Sequence, residues 1–208
     1  MVSKEKLVDG NLSLILQALL CETSYGEHNI VVYPDLDSFR EIYTRLTKAR
    51  IEKFNDLVML MPHYETIKSV EQSLAELDIN VKKLKTEKGS IDIIDSYHAF
   101  FDPEQEFLEV IAAGVDTAMR NGKSGLVVIA DMGSFYHRQA IEKMIDHECR
   151  IGVAEVASKQ KQQQQDHYYH QRFVLFCCYH KKDFEKLTKE QEEGLCRNHH
   201  KNLSVKES

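Results

Sequence analysis

Apolar residues fall along the chain in two alternating rhythms. Short β-rich runs recur at His28–Tyr33, Asp56–Met61, Ile91–Asp95, Gly125–Asp131 and Phe173–Tyr179. Three of them are nearly unbroken, as in central strands covered on both faces. Ile91–Asp95 is more mixed, which predicts a place nearer an edge. Between these runs the apolar spacing changes to three and four residues, the period of a helix with one buried face. One such stripe is Phe39, Ile42, Tyr43 and Leu46, with Asp37 as the predicted N-cap. A second is Ile67, Val70, Leu74 and Leu77. A third, Phe107 to Ala118, is predicted to open at Asp102-Pro103 and end at Asn121-Gly122. Ala140, Ile141, Met144 and Ile145 form a fourth, and Phe184, Leu187 and Leu195 a last. A helix over 11–22 precedes the first strand, and a minor strand fits around Asn80–Leu84.

This alternation predicts an α/β fold with a mainly parallel central sheet of about five strands flanked by helices. Residues 1–26 read as a helical lead-in, 27–203 as one domain and 204–208 as a tail. The polar, Gln-rich segment 159–172 breaks the rhythm. It has no apolar stripe, so little burial opposes its conformational entropy, and a helix fraying into a mobile excursion is expected.

Composition narrows the class. Of 208 residues, 42% are hydrophobic and 29% charged, the balance of a globular chain. The net charge of −6 makes nucleic acid an unfavoured partner, although residues 158–208, with 10 basic and 7 acidic side chains, are locally basic. The longest apolar run, Leu12–Leu20, is interrupted by Ser13 and Gln17, so neither a membrane span nor a secretory signal is expected. Five cysteines without a C-x-x-C pair fit a reduced, cytoplasmic protein. Cys177 and Cys178 should point to opposite faces of one strand as small buried apolar groups.

Chemistry is sparse. Asp131 ends an apolar strand, where many nucleotide-hydrolysing folds keep a metal-binding carboxylate. Its usual companion is missing. No G-x-x-x-x-G-K-[ST] motif occurs, and the first strand leads into Tyr33-Pro-Asp-Leu-Asp, with Asp35 and Asp37 to repel phosphate. Ten histidines lack the spacing of a zinc motif and read as exposed loop residues, so no metal and no cofactor are expected. Ser96 and Ser134 follow strands but have no assignable catalytic partners.

The ordered set His28-Asn-Ile-Val-Val-Tyr33, Gly89-Ser-Ile-Asp-Ile-Ile-Asp95, Tyr97, Phe101-Asp102-Pro103 and Leu175-Phe-Cys-Cys-Tyr179 resembles the MEDS domain, the methanogen/methylotroph sensory domain of DcmR-type regulators. In that family a histidine precedes the first strand, and a Cys-x-Tyr strand is followed by a helix and a histidine. The matching residues here are His28, Cys177, Tyr179 and His199. The chain departs from the family in three places. Ala49–Asp56 lacks a G-L-x-x-G-E turn, Phe135 or Tyr136 stands for a tryptophan, and His200 stands for a proline. The resemblance implies a RecA/KaiC-like fold that has lost its phosphate loop. It also implies a sensory role acting through a separate signalling protein or by self-association.

These readings lead to a non-catalytic, cytoplasmic sensory module that binds a small molecule or a protein partner. The alternatives are a nucleotide-binding protein or weak ATPase retaining Asp131, and a nucleic-acid-associated adaptor. Parallel strands bring their C-terminal ends to one edge. The ligand site is therefore expected from Tyr33, Asp35, Ser96, Tyr97, Asp131, Ser134 and Tyr179, with Asp131 and Tyr179 sharing a cleft. His28 begins its strand, and His199 follows a helix of about 15 residues that returns roughly 22 Å down the sheet, so both belong at the opposite edge. The missing phosphate loop carries a direct expectation: ATP hydrolysis stays at background in a coupled phosphate-release assay. A Mg²⁺-dependent turnover abolished by Asp131→Asn would contradict it.

Overall fold

The computed structural model describes residues 7–104, 106–160 and 172–207. The chain opens with β1 (Val8–Gly10), α1 (Leu12–Cys21), β2 (His28–Tyr33), α2 (Leu36–Phe54) and β3 (Leu57–Met61). It continues through α3 (Ile67–Ala75), α4 (Val81–Thr86), β4 (Ile91–Ile93), α5 (Ser96–Phe101), α6 (Phe107–Arg120) and β5 (Leu126–Asp131). The last part is α7 (Gly133–His137), α8 (Ile141–Gln160), β6 (Phe173–His180), α9 (Lys181–Phe184), α10 (Lys189–Arg197) and β7 (Lys201–Val205). The seven strands form one sheet in the order β1-β7-β2-β6-β5-β3-β4, and every neighbouring pair is parallel.

Alternation along each strand divides the core in two. Ile30, Val32, Met59, Val128, Leu175, Cys177 and Tyr179 face the layer of α5, α6, α8 and α10. Val31, Tyr33, Val58, Ile129, Phe176 and Cys178 face α1, α2 and α3. β2, β5 and β6 are therefore buried on both faces, in keeping with their nearly unbroken apolar runs. Cys177 and Cys178 fall on opposite faces, and β4 is an edge strand, as expected.

Four local expectations are corrected. Asp35, not Asp37, caps α2, because its side chain reaches the Ser38 N–H at 2.8 Å while Asp37 sits inside the first turn. Asp102-Pro103 follows α5 rather than opening α6, which starts at Phe107 under a capping box made by Glu106 and Glu109. The 80–84 segment is helical: Asn80 caps α4 by accepting from the Lys83 N–H. The sheet has seven strands rather than about five, because β1 and β7 pair at one edge. Ser204 and Val205 thus belong to β7 rather than to a tail. These two strands are short, and Lys201-Asn-Leu-Ser-Val mixes polar with apolar residues, so neither shows the continuous run of a central strand. The Gln-rich excursion lies, over 161–171, outside the described residues. Among the described residues no helix is long and apolar enough to cross a membrane.

Candidate functional site

The strand C-termini do gather on one edge, and Asp131 is its polar centre. Its carboxylate accepts from Tyr33 Oη at 3.2 Å and from the Gly133 N–H at 3.0 Å. The backbone N–H groups of His63 and Tyr64 also reach it. A side chain added at Gly133 would meet the His63 ring at 2.4 Å and the Tyr64 ring at 2.7 Å, so the loop after β3 lies directly on this turn. Tyr64 in turn donates to Asp183. The remaining candidates scatter around this edge. Asp35 is exposed and occupied in capping α2. Ser96 and Ser134 are buried with hydroxyls lacking a partner. Tyr97 is half-buried among His63 and His137, with Arg138 over its ring at 5.3 Å.

Tyr179 does not join Asp131. The two strands pair Asp131 with Cys178, so Tyr179, one residue on, points to the other face. There it meets a second polar centre, contrary to the expected shared cleft. Tyr179 Oη donates to Glu148 Oε1 at 2.6 Å. The other oxygen, Oε2, lies 2.8 Å from His28 Nε2, 3.3 Å from His199 Nε2 and 3.5 Å from Cys177 Sγ. His28 Nε2 and Cys177 Sγ are 3.1 Å apart, and the two histidine rings lie 3.8 Å centroid to centroid. No member is more than 2% exposed. His28 and His199 are thus buried rather than exposed, and the Glu148 carboxylate links them to Tyr179.

Backbone geometry explains the convergence. β7 runs parallel to β2, and the His200 N–H donates to the His28 carbonyl at 2.7 Å. The His28 N–H donates back to His200 Nδ1 at 3.1 Å. The end of α10 therefore delivers His199 beside His28. On the facing strand, Cys177 and Tyr179 share a face two residues apart. Glu148 comes from α8, in the stripe Met144, Glu148 and Ile151. An acid on an apolar helix face was the signal available for it, and motif spacing could not find it, because the five residues come from four distant segments.

Electrostatics separate the two centres. Burial pushes the Asp131 carboxyl up to about 7, against the opposing hydrogen bonds from Gly133 and Tyr33. Burial alone would raise Glu148 too, but the imidazoles of His28 and His199 outweigh it and hold the carboxyl well below the usual range. His28 is itself pushed down to about 4, first by burial and then by His199. Burial, reinforced by Glu148, raises the Cys177 thiol and the Tyr179 phenol. Two imidazoles, a carboxylate and a thiol are donor types that hold transition metals, and their ligand atoms all lie within 4.8 Å of one another.

Comparison with known proteins gives two findings. The family model described as "MEthanogen/methylotroph, DcmR Sensory domain" (MEDS) matches residues 27–200. Among solved structures, the KaiC-like protein PH0186 of Pyrococcus horikoshii OT3 superposes with a TM-score of 0.53 at 11% identity, over 83% of this chain and 68% of that one. The fold is therefore KaiC-like. No curated protein sequence matches.

The raised carboxyl of Asp131 sets a pH dependence. A folded-state value of about 7 against an ordinary 3.8 means the protonated acid favours folding. That contribution, on the order of 4 kcal/mol, is fully present below about pH 4 and is lost as the pH rises through about 7. Asp131→Asn should remove this loss. In denaturant unfolding, its stability relative to the parent should improve by up to a few kcal/mol between pH 4 and pH 8. A constant difference across that range would contradict the assignment.

Proposed function

Because this chain belongs to the MEDS family of sensory domains, we propose that it is a non-catalytic sensory module whose input arrives at the buried centre around Glu148. One observation carries this reading: four ionisable or polar side chains from three other segments converge on the Glu148 carboxylate with almost no exposure. Burying such groups is costly, and an apolar set of similar volume would fold at least as stably. Perturbed ionisable groups cluster at functional sites. Enclosure favours binding over turnover, since a reaction needs a route for substrate and product. The centre also touches the parts that a signal would have to move. A change at Glu148 acts on α8, one at His199 on the end of α10, and both are read against the sheet. A separate signalling protein, or a second copy of the chain, then receives the shift.

A second reading puts the ligand at the strand-end edge, with Tyr33, Asp35, Ser96, Tyr97, Asp131 and Ser134. It is favoured by the buried Asp131 carboxyl poised near neutrality. It is weakened because Tyr33, Gly133 and the His63–Tyr64 loop already fill the acceptor positions of that carboxylate.

Native mass spectrometry of the gently purified chain separates the two. The expected result is a bound low-mass species whose occupancy falls at least tenfold in Glu148→Gln and is unchanged in Asp131→Asn. The reverse pattern would move the sensing site to the strand-end edge.

A further inference from the structure

We propose that His28, Glu148, Cys177 and His199 form a four-coordinate site for a borderline divalent cation of the zinc class. This builds on the reading of the same centre as the sensing point and names what occupies it. The geometry is close to complete. Bonds of 2.0–2.3 Å to nitrogen, oxygen and sulfur in a tetrahedron place neighbouring ligand atoms roughly 3.3–3.6 Å apart. Four of the six edges measure 2.8, 3.1, 3.3 and 3.5 Å. Expansion by a few tenths of an ångström therefore opens the centre for an ion.

The surroundings are those of a metal ligand set. His199 Nδ1 lies 2.6 Å from the Leu195 carbonyl, and the proton on that nitrogen leaves Nε2 as a bare lone pair. That Nε2 is fully buried, faces the Glu148 oxygen at 3.3 Å and makes no hydrogen bond. Two lone pairs turned toward each other in a dry interior need something electrophilic between them. On the far side, Tyr179 Oη holds Glu148 Oε1, so the carboxylate offers Oε2 alone to the centre. Charge balances as well. Two neutral imidazoles, one carboxylate and one thiolate total −2, and a divalent cation cancels it, leaving a neutral buried group. Cys177 gives up its thiol proton to solvent as the metal–sulfur bond forms, with no change of oxidation state. Nitrogen, oxygen and thiolate together favour zinc-class ions over magnesium or calcium, which take oxygen.

Cobalt(II) is the probe, because its spectrum reports both sulfur ligation and geometry. The chain is stripped with chelator under reducing conditions and titrated with Co²⁺, then with Zn²⁺. The expected result is one equivalent of tightly bound Co²⁺ with a thiolate-to-cobalt charge-transfer band and intense tetrahedral d–d bands. One equivalent of Zn²⁺ should abolish both. Cys177→Ser should lose the charge-transfer band, and Cys149→Ser should keep it. Tyr179→Phe retains all four ligands but frees Oε1, and should weaken binding roughly 10- to 100-fold. It serves as the test if Cys177→Ser does not fold. Weak octahedral bands without charge transfer, a band that survives Cys177→Ser, or an affinity indifferent to Tyr179→Phe would overturn the assignment. Failure here leaves the sensory reading standing wherever native mass spectrometry finds an occupant dependent on Glu148. Metal uptake combined with an occupant dependent on Asp131 keeps the metal site and moves the sensor.

Discussion

The Glu148 carboxylate is the constraint on which this structure depends. It sits without exposure between the sheet and α8, and each of its oxygens is committed. A carboxylate so placed must be compensated, because an isolated buried charge costs many kcal/mol. The compensation comes from Tyr179 on β6 at 2.6 Å and His28 on β2 at 2.8 Å, while His199, from the turn between α10 and β7, faces the same oxygen as His28 at 3.3 Å. That one carboxylate thus joins α8 to β2 near the start of the chain and to β6 and the α10–β7 turn near its end. Removing any one donor leaves the carboxylate under-satisfied, so the centre is sensitive to change among its partners. That sensitivity is what a receptor of chemical signals requires.

The sheet also carries a second buried acid with the opposite character. Asp131 ends β5 on the other face and is held by Tyr33, Gly133 and the loop at His63 and Tyr64. It lies where burial raises its carboxyl, whereas Glu148 is held low by imidazoles. Here the acid ties the end of β5 to the turn at Gly133 and to the loop at His63 and Tyr64.

Much of the fold was legible because parallel strands covered on both faces must be apolar throughout. His28–Tyr33, Gly125–Asp131 and Phe173–Tyr179 could hardly have been anything else. β1 and β7 were not legible, since three and five residues of mixed polarity gain their pairing only from tertiary context. The strand direction correctly joined His28 to His199. It misplaced Tyr179 because alternation, and not position along the strand, decides which face a residue serves. Tyr179 at the end of β6 faces α8, while Asp131 at the end of β5 faces α2. Glu148 was hidden for another reason: its partners lie 120, 29, 31 and 51 residues away, beyond any local motif. Its one local mark was its place between Met144 and Ile151 on a buried stripe.

The most direct test is a crystal structure of the zinc-loaded chain with anomalous data on both sides of the zinc absorption edge. A single strong anomalous peak is expected among His28 Nε2, Glu148 Oε2, Cys177 Sγ and His199 Nε2, at roughly 2.0–2.3 Å from each. An empty centre, with Glu148 hydrogen-bonded to His28 and Tyr179 and zinc found only on surface histidines, would contradict it.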